Sequence, residues 1–339
     1  MAEYSDSSAG PAGGDRVGLA DVQKAAATLA GIAHRTPVLT SNRLDERGGC
    51  RVYLKAENFQ RTGSFKFRGA FNRLSALSAE ERRRGVVAFS SGNHGQAVAL
   101  AGQLLDVPVS VFMAGDGPRV KRMAAAGYGA TVRFYGPGSD RHALAAQAAA
   151  QQGAVFVHPY EDPLVIAGQG TAALELLEEV SDLDTLVVPI GGGGLISGCA
   201  VAAKGINPAI RVVGVEPEAG NDTYQSVAAG RRITIDLPDT IADGLRTTSP
   251  GERTFDMLTQ LVDEVVLVSE AEIEDAVTTL ALTAKTVTEP SGAVGVAAVL
   301  AGRVTGRRVG VILSGGNVDP GRLAQIITSG AETGEPGEP

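Results

Sequence analysis

The chain has 339 residues, with 38 aspartates and glutamates against 30 lysines and arginines and a formal net charge of −8 at pH 7. That balance, without any long block of Lys and Arg, argues against nucleic acid as a partner. The lack of any run of about 18 apolar residues argues against a membrane span. Hydrophobic residues make up 44% of the chain and aromatic residues only 4%, so the core is built from Ala, Val, Leu and Ile, the residues of helix-covered parallel sheets.

In chain order, residues 1–16 are rich in Ser, Gly and Ala with no apolar signal core, which predicts disorder and argues against secretion. Strands are predicted at Arg51–Glu57, Val86–Phe89, Val107–Met113, Ala130–Tyr135, Ala154–Val157, Leu186–Ile190, Val212–Glu216 and Val309–Leu313. Helices are predicted at Gln96–Leu105, Arg119–Ala126, Arg141–Gln152, Thr171–Val180, Leu195–Ala203, Glu270–Thr288 and Ala293–Val304. Ser269 with Glu272 has the form of a capping box. Residues 330–339 are again expected to be disordered. Alternation of this kind gives an α/β chain whose sheets are mostly parallel and carry helices on both faces. Cys50 and Cys199 stand far apart and without metal spacing, which suits a reducing cytoplasm and no disulfide framework.

Ligands in such folds sit where strands end and glycine turns begin. Four turns qualify: Thr62-Gly63-Ser64, Ser90 to His94, Gly191 to Gly194, and Ser314-Gly315-Gly316-Asn317. The run from Val187 to Gly198 reads strand, glycine turn, helix. Consecutive glycines let several N–H groups converge on one anion, and a helix N-terminus adds about half a positive charge. No Lys-Ser or Lys-Thr follows, which excludes a nucleoside-triphosphate loop. Two readings remain open here. One is a phosphate cup; the other is an imperfect dinucleotide fingerprint, Gly192-x-Gly194 with Gly198, completed by Glu216 at the end of the next strand.

The segment Lys55–Ala70 bears on the choice. Lys66 stands between Phe65 and Phe67 just past a Thr-Gly-Ser turn. Aromatic neighbours desolvate an amine, lower its pKa and suit it to imine formation, although a surface lysine with a buried stem would look much the same.

Ser64-Phe65-Lys66-Phe67-Arg68-Gly69-Ala70 resembles the cofactor-lysine motif of the serine/threonine dehydratase and serine racemase family, pyridoxal-phosphate (PLP) enzymes of the tryptophan-synthase-β fold. Ser90 to Gln96, Gly191–Gly194, Ile241-Ala242-Asp243-Gly244, Glu289-Pro290-Ser291-Gly292-Ala293 and Ser314 to Asn317 resemble further family motifs, in the same order from about Val17 to Ser329. The resemblance sets the dinucleotide reading aside. It implies a two-domain PLP protein of fold type II, each domain a mostly parallel twisted sheet flanked by helices. Residues 17–83 and 161–329 would form the large domain, and 84–160 a small mobile one.

By the same resemblance Lys66 holds the cofactor and, once displaced by substrate, becomes the base that takes the α-proton. Phe65 packs on the ring, Asn93 meets the ring hydroxyl, Gly191, Gly192, Gly193 and Gly194 bind the phosphate, Gly244 adjoins the cofactor, and Ser314 meets the pyridine nitrogen. A neutral serine there makes the ring a weaker electron sink than an aspartate would, which suits loss of a β-substituent over transamination. Ser91 is a second catalytic candidate, on the face opposite the lysine. Ser90, Ser91, Asn93, His94, Arg141 and Thr247 are the substrate-side candidates. Tyr160 replaces an asparagine of serine racemase, so the pocket differs. Glu216, Gly220 and Asp222 resemble the family's oxygen-only cation site, which implies Mg²⁺ or Ca²⁺, with a monovalent cation or a plain acidic surface turn as the alternatives.

The expected reaction is β-elimination from L-threonine or L-serine, giving a 2-oxo acid and ammonia. Serine racemisation, 3-hydroxyaspartate dehydration, and cofactor binding without turnover are the alternatives. After Ser314 only a helix and a tail remain, so a C-terminal effector domain is not expected. The family expectation for assembly is a homodimer.

Overall fold

Among the described residues ten strands rich in valine carry the frame: β1 Val38–Leu39, β2 Arg51–Ala56, β3 Val86–Phe89, β4 Val109–Ala114, β5 Thr131–Tyr135, β6 Val155–Phe156, β7 Thr185–Pro189, β8 Arg211–Pro217, β9 Glu264–Val268 and β10 Arg308–Leu313. The computed structural model describes residues 16–90, 92–114, 124–136 and 138–332. The strands form a six-stranded sheet in the order β1-β2-β10-β7-β8-β9 and a four-stranded sheet in the order β5-β4-β3-β6. Every ladder is parallel except β1 with β2. This is the expected α/β architecture of parallel sheets between helices. Strands β3 and β7 are buried along their whole length, as strands covered on both faces must be.

The eight strands expected from the sequence are all present, with ends moved by at most two residues. Two edge strands escape the pattern: β1 is two residues long, and β9 is a half-buried edge. The helix expected over Glu270–Thr288 is shorter. It is α-helical over Glu270–Thr279, widens into a π turn at Leu280–Ala284, and stops at Lys285 with φ of 55°. Pro290 explains why it does not resume earlier, because a residue before proline is pushed out of the helical region; Glu289 is extended, at φ −77° and ψ 155°. Four expected helices start earlier, at Pro163 behind the cap of Asp162, at Asn93, at Pro290 and, by one residue, at Gly194. Helix Pro320–Glu332 runs into the tail expected to be disordered from residue 330. Residues 1–15 and 333–339 of the two expected disordered ends, and 119–123 of the expected helix Arg119–Ala126, lie outside the described residues.

Three helices meet through glycine. A Cβ on Gly168 would lie 2.6 Å from Gly69 Cα, and one on Gly170 would lie 2.5 Å from Gly198 O. Helix Pro163–Glu179 is therefore packed backbone to backbone against both Lys66–Ser75 and Gly194–Ile206. Those two helices begin with the lysine and the last glycine that the sequence singles out. Behind the first of them Arg68, with no exposed surface, spans Glu57 (Nε–Oε2 2.7 Å) and Glu175 (Nη1–Oε1 2.6 Å), while Lys55 Nζ meets Glu175 Oε2 at 2.7 Å. Two cations and two carboxylates close this buried cluster. Removing Arg68 alone would leave the fully buried Glu57 carboxylate without its guanidinium, at about 3–5 kcal/mol, while Glu175 keeps Lys55.

Candidate active site

The carboxyl ends of parallel strands carry the functional turns. Lys66 starts its helix two short 3₁₀ turns after β2, Asn93 starts one after β3, Arg141 one after β5, and Gly194 one after β7. Ser314 follows β10 directly. These ends enclose one cleft of about 990 Å³, open mouth included, lined by Phe65, Lys66, Ser90, Asn93, His94, Arg141, Gly191, Gly192, Gly193, Gly194, Gly244, Thr247 and Ser314. Every cofactor-side and substrate-side candidate among the described residues is thus in one place. Ser91 lies outside the described residues.

Lys66 Nζ donates to Pro159 O at 2.9 Å and stands 5.1 Å from the centre of the Phe65 ring. Burial lowers its pKa to about 8, because the charged form loses solvation and gains no anion. A substantial fraction of the amine is therefore neutral near physiological pH.

The glycine turn is shaped by its neighbours. Gly193 has φ of +91° and caps helix Gly194–Ile206. A Cβ on Gly192 would fall 2.4 Å from Tyr160 Cδ1, and one on Gly194 would fall 2.8 Å from Tyr160 Cα. Only glycine fits under that tyrosine. Across the cleft Gly244 N donates to Ser291 Oγ at 2.9 Å, and Ser314 Oγ donates to Ser291 O at 3.4 Å. Phe65 N donates to Ser314 O at 3.0 Å, which ties the lysine turn to the serine turn.

His94 is buried, and its Nε2 lies 3.1 Å from Val157 O. Burial, with Lys66 nearby, drops its pKa to about 3, so it is neutral and acts as a hydrogen-bonding group. Ser90 Oγ accepts from Gly92 N at 3.0 Å. The Arg141 guanidinium lies over the Phe89 ring at 5.5 Å. Thr247 lines the cleft, but its hydroxyl donates to Asp222 at 3.3 Å.

Glu216, Gly220 and Asp222 stand outside the cleft lining. Glu216 and Asp222 are fully buried. Burial and the neighbouring Asp222 raise Glu216 to about 8, and burial raises Asp222 to about 7. Glu216 accepts from Thr223 N at 3.1 Å and Tyr224 N at 2.8 Å. It does not stand free beside the glycine turn, where a ribose-binding acid belongs. Among the described residues no three His, Cys, Asp or Glu side chains converge on one point, so the anticipated cation site holds two carboxylates.

Three site residues had no role assigned from sequence. Glu289 accepts from Asn93 Nδ2 at 2.6 Å, Asn317 Nδ2 donates to Asn93 Oδ1 at 2.9 Å, and Ser291 receives Gly244 as above. Glu289 and Ser291 lie in a motif already quoted for its resemblance; an acid before Pro-Ser-Gly, at the start of an apolar helix, was the available signal.

The residues fit pyridoxal phosphate on these observations. A desolvated amine can form the imine, a glycine cradle that excludes side chains can take the phosphate, and a buried neutral hydroxyl is present at Ser314. A family model described as pyridoxal-phosphate dependent enzyme matches residues 29–315. The chain is 49% identical over 317 residues to L-threo-3-hydroxyaspartate ammonia-lyase of Saccharomyces cerevisiae, covering 93% of this chain and 97% of that one. It is 46% identical to an L-threonine ammonia-lyase of Thermotoga maritima over 92% of this chain and 78% of the relative. Among solved structures, maize serine racemase superposes with a TM-score of 0.88 at 40% identity, covering 94% of this chain and 98% of the other. With the fold, the amine and the glycine cradle in agreement, the chain belongs to the pyridoxal-phosphate dependent enzymes of fold type II.

Proposed function

We propose that this enzyme removes water and then ammonia from a small β-hydroxy amino acid, L-threonine or L-serine, leaving the 2-oxo acid. One observation carries the reading: Lys66, with its amine pKa near 8, shares a single cleft with the Gly191–Gly194 turn, Asn93 and Ser314. The ammonia-lyase relatives support it. Bound pyridoxal phosphate supplies an electron sink for the pair left at the α-carbon.

The chain's own residues do the rest. Lys66 holds the cofactor through its amine and afterwards receives the α-proton at Nζ, which requires the neutral form. Pro159 O, 2.9 Å away, orients that nitrogen. Phe65 and Asn93 flank the ring position, the glycine turn and Gly244 hold the phosphate end, and Ser314 offers the pyridine nitrogen a neutral partner. Ser90, Asn93 and His94 receive the substrate carboxylate, with Thr247 alongside. Ser91 is one candidate for protonating the departing hydroxide, and the phosphate end of the cofactor is the other. Loss of water across Cα–Cβ leaves an enamine that hydrolyses to the 2-oxo acid and ammonia. Incubation with L-threonine or L-serine is expected to release ammonia and 2-oxo acid in equal amounts; a coloured protein that releases neither would contradict the proposal.

A second substrate is favoured by Arg141, which brings a guanidinium to the cleft beside Phe89. A fixed cation there suits a side-chain carboxylate, as in 3-hydroxyaspartate. Ammonia release across a panel of hydroxy amino acids ranks the two.

Mg²⁺ or Ca²⁺ is proposed at Glu216 and Asp222 with the Gly220 carbonyl. Two fully buried acids held above their ordinary pKa support it, because a cation would offset both charges. Either ion is expected to raise the melting temperature, and Glu216→Gln to abolish the rise; no shift with the unmodified chain would count against the site.

The four-stranded sheet, whose strands all fall within residues 84–160, is taken as the small mobile domain, against 17–83 with 161–329. Two free cysteines, Cys50 and Cys199, support a reducing, cytoplasmic setting. A homodimer is the assembly expected, which light scattering would test.

A further inference from the structure

A side chain outside the cleft fastens the glycine turn from behind. Thr254, in the first turn of helix Glu252–Leu261, is fully buried. Its Oγ1 lies 2.7 Å from Gly192 O and 3.3 Å from Glu161 Oε1. A hydroxyl has one proton to give, and the nearer acceptor, Gly192 O, takes it. Glu161 holds the start of that helix in turn, accepting from Arg253 N at 3.1 Å and Thr254 N at 3.4 Å. Gly251 N makes a longer contact with Gly192 O, at 3.5 Å.

The consequence follows from peptide geometry. The Gly192–Gly193 bond is trans, so the Gly192 carbonyl and the Gly193 N–H point in opposite directions in one plane. Fastening the carbonyl to Thr254, which is not part of the cleft lining, turns the Gly193 N–H toward the cleft. Such a tether is needed because glycine flanks the peptide on both sides, and without Cβ atoms little else opposes its rotation. Packing gives independent support: a Cβ on Gly193 would lie 2.7 Å from Thr254 Cβ, so the threonine fills the space immediately behind the turn.

We propose that Thr254 is a positioning residue for phosphate binding, holding the Gly192–Gly193 peptide so that the Gly193 N–H is presented to the anion. The proposal rests on the reading of Gly191–Gly194 as the phosphate site, and the test separates the two. Full-length protein stripped of cofactor is titrated with pyridoxal phosphate and, separately, with pyridoxal, which lacks the phosphate. Binding is read from the imine absorbance.

Thr254→Val is expected to weaken pyridoxal phosphate about tenfold, the loss of one hydrogen bond to a pre-set site, and to leave pyridoxal within about twofold. Thr254→Ser, which keeps the hydroxyl, is expected to match the unmodified chain. Thr254→Ala gives the same comparison should the valine variant prove too unstable to purify. Equal weakening toward both aldehydes, or no weakening, overturns the role of Thr254. An unmodified chain that binds the two aldehydes equally overturns the phosphate site itself.

Discussion

Asn93 and Glu289, 196 positions apart in the chain, meet side chain to side chain at 2.6 Å, with Asn93 Nδ2 donating to Glu289 Oε1. Asn317 Nδ2 donates to Asn93 Oδ1 at 2.9 Å and to Thr62 O at 2.6 Å. Both ends of the Asn93 amide are therefore fixed before any ligand arrives. Such preorganisation lowers the cost of binding. Glu289→Ala and Asn93→Ala are each expected to weaken the cofactor about tenfold. The double variant should be little worse than Asn93→Ala alone, since Glu289 acts on the cofactor through the Asn93 amide. Fully additive losses in a cofactor titration would show that the two side chains act separately.

The Lys66 amine sets a pH dependence for cofactor uptake. Its pKa is lowered from 10.5 to about 8 by burial, so at pH 7 about a tenth of the amine is neutral, against well under a thousandth for an ordinary lysine. Only the neutral amine attacks an aldehyde. Recombination of cofactor-free protein with pyridoxal phosphate should therefore speed up as pH rises toward about 8 and level off above it. A rate that keeps climbing toward pH 10.5 would mean that the amine is not desolvated.

Gly192 has no room for a side chain, because a Cβ there would come within 2.4 Å of the Tyr160 ring. Gly192→Ala is expected to lower stability by about 1–3 kcal/mol, the usual cost of overpacking, and to weaken cofactor binding as the turn is displaced. Tyr160→Asn should recover most of the lost melting temperature. Failure of that recovery would place the strain elsewhere.

Arg141 is the proposed discriminator between substrates. Arg141→Met keeps much of the contact with Phe89 and removes the charge. It should lower kcat/KM for L-threo-3-hydroxyaspartate about a hundredfold, as loss of a charge-assisted contact does, while L-serine changes less than about threefold. Equal losses on both substrates would assign Arg141 to a feature they share.

Much of this was legible before any coordinates. The strands β2, β3, β7 and β10 are short runs followed by glycine turns, and their order along the chain placed Lys66, Asn93, Gly191–Gly194 and Ser314 where ligands gather. What escaped was context. Helix Lys66–Ser75 has a fully buried Arg68 and a Gly69 that meets Gly168; both weaken an amphipathic signature, and both are explained by tertiary partners, Glu57 and Glu175 for Arg68 and Gly168 for Gly69. Thr254 looked ordinary, and Glu289 carried a motif but no role, because their importance lies in which carbonyl or amide they touch across the fold. The end of helix Glu270–Thr279 was overrun because the apolar spacing continues through a π turn that periodicity does not separate from an α-helix.

The central claim is that Lys66 is the residue that carries the cofactor, and borohydride reduction of the holoenzyme tests it most directly. Reduction fixes the imine as a stable pyridoxyl-lysine, which peptide mass mapping then locates. The account predicts the label on the peptide containing Lys66 and no label in Lys66→Ala. A label on another lysine, such as the buried Lys55 behind the site, or a holoenzyme that acquires none, would contradict it.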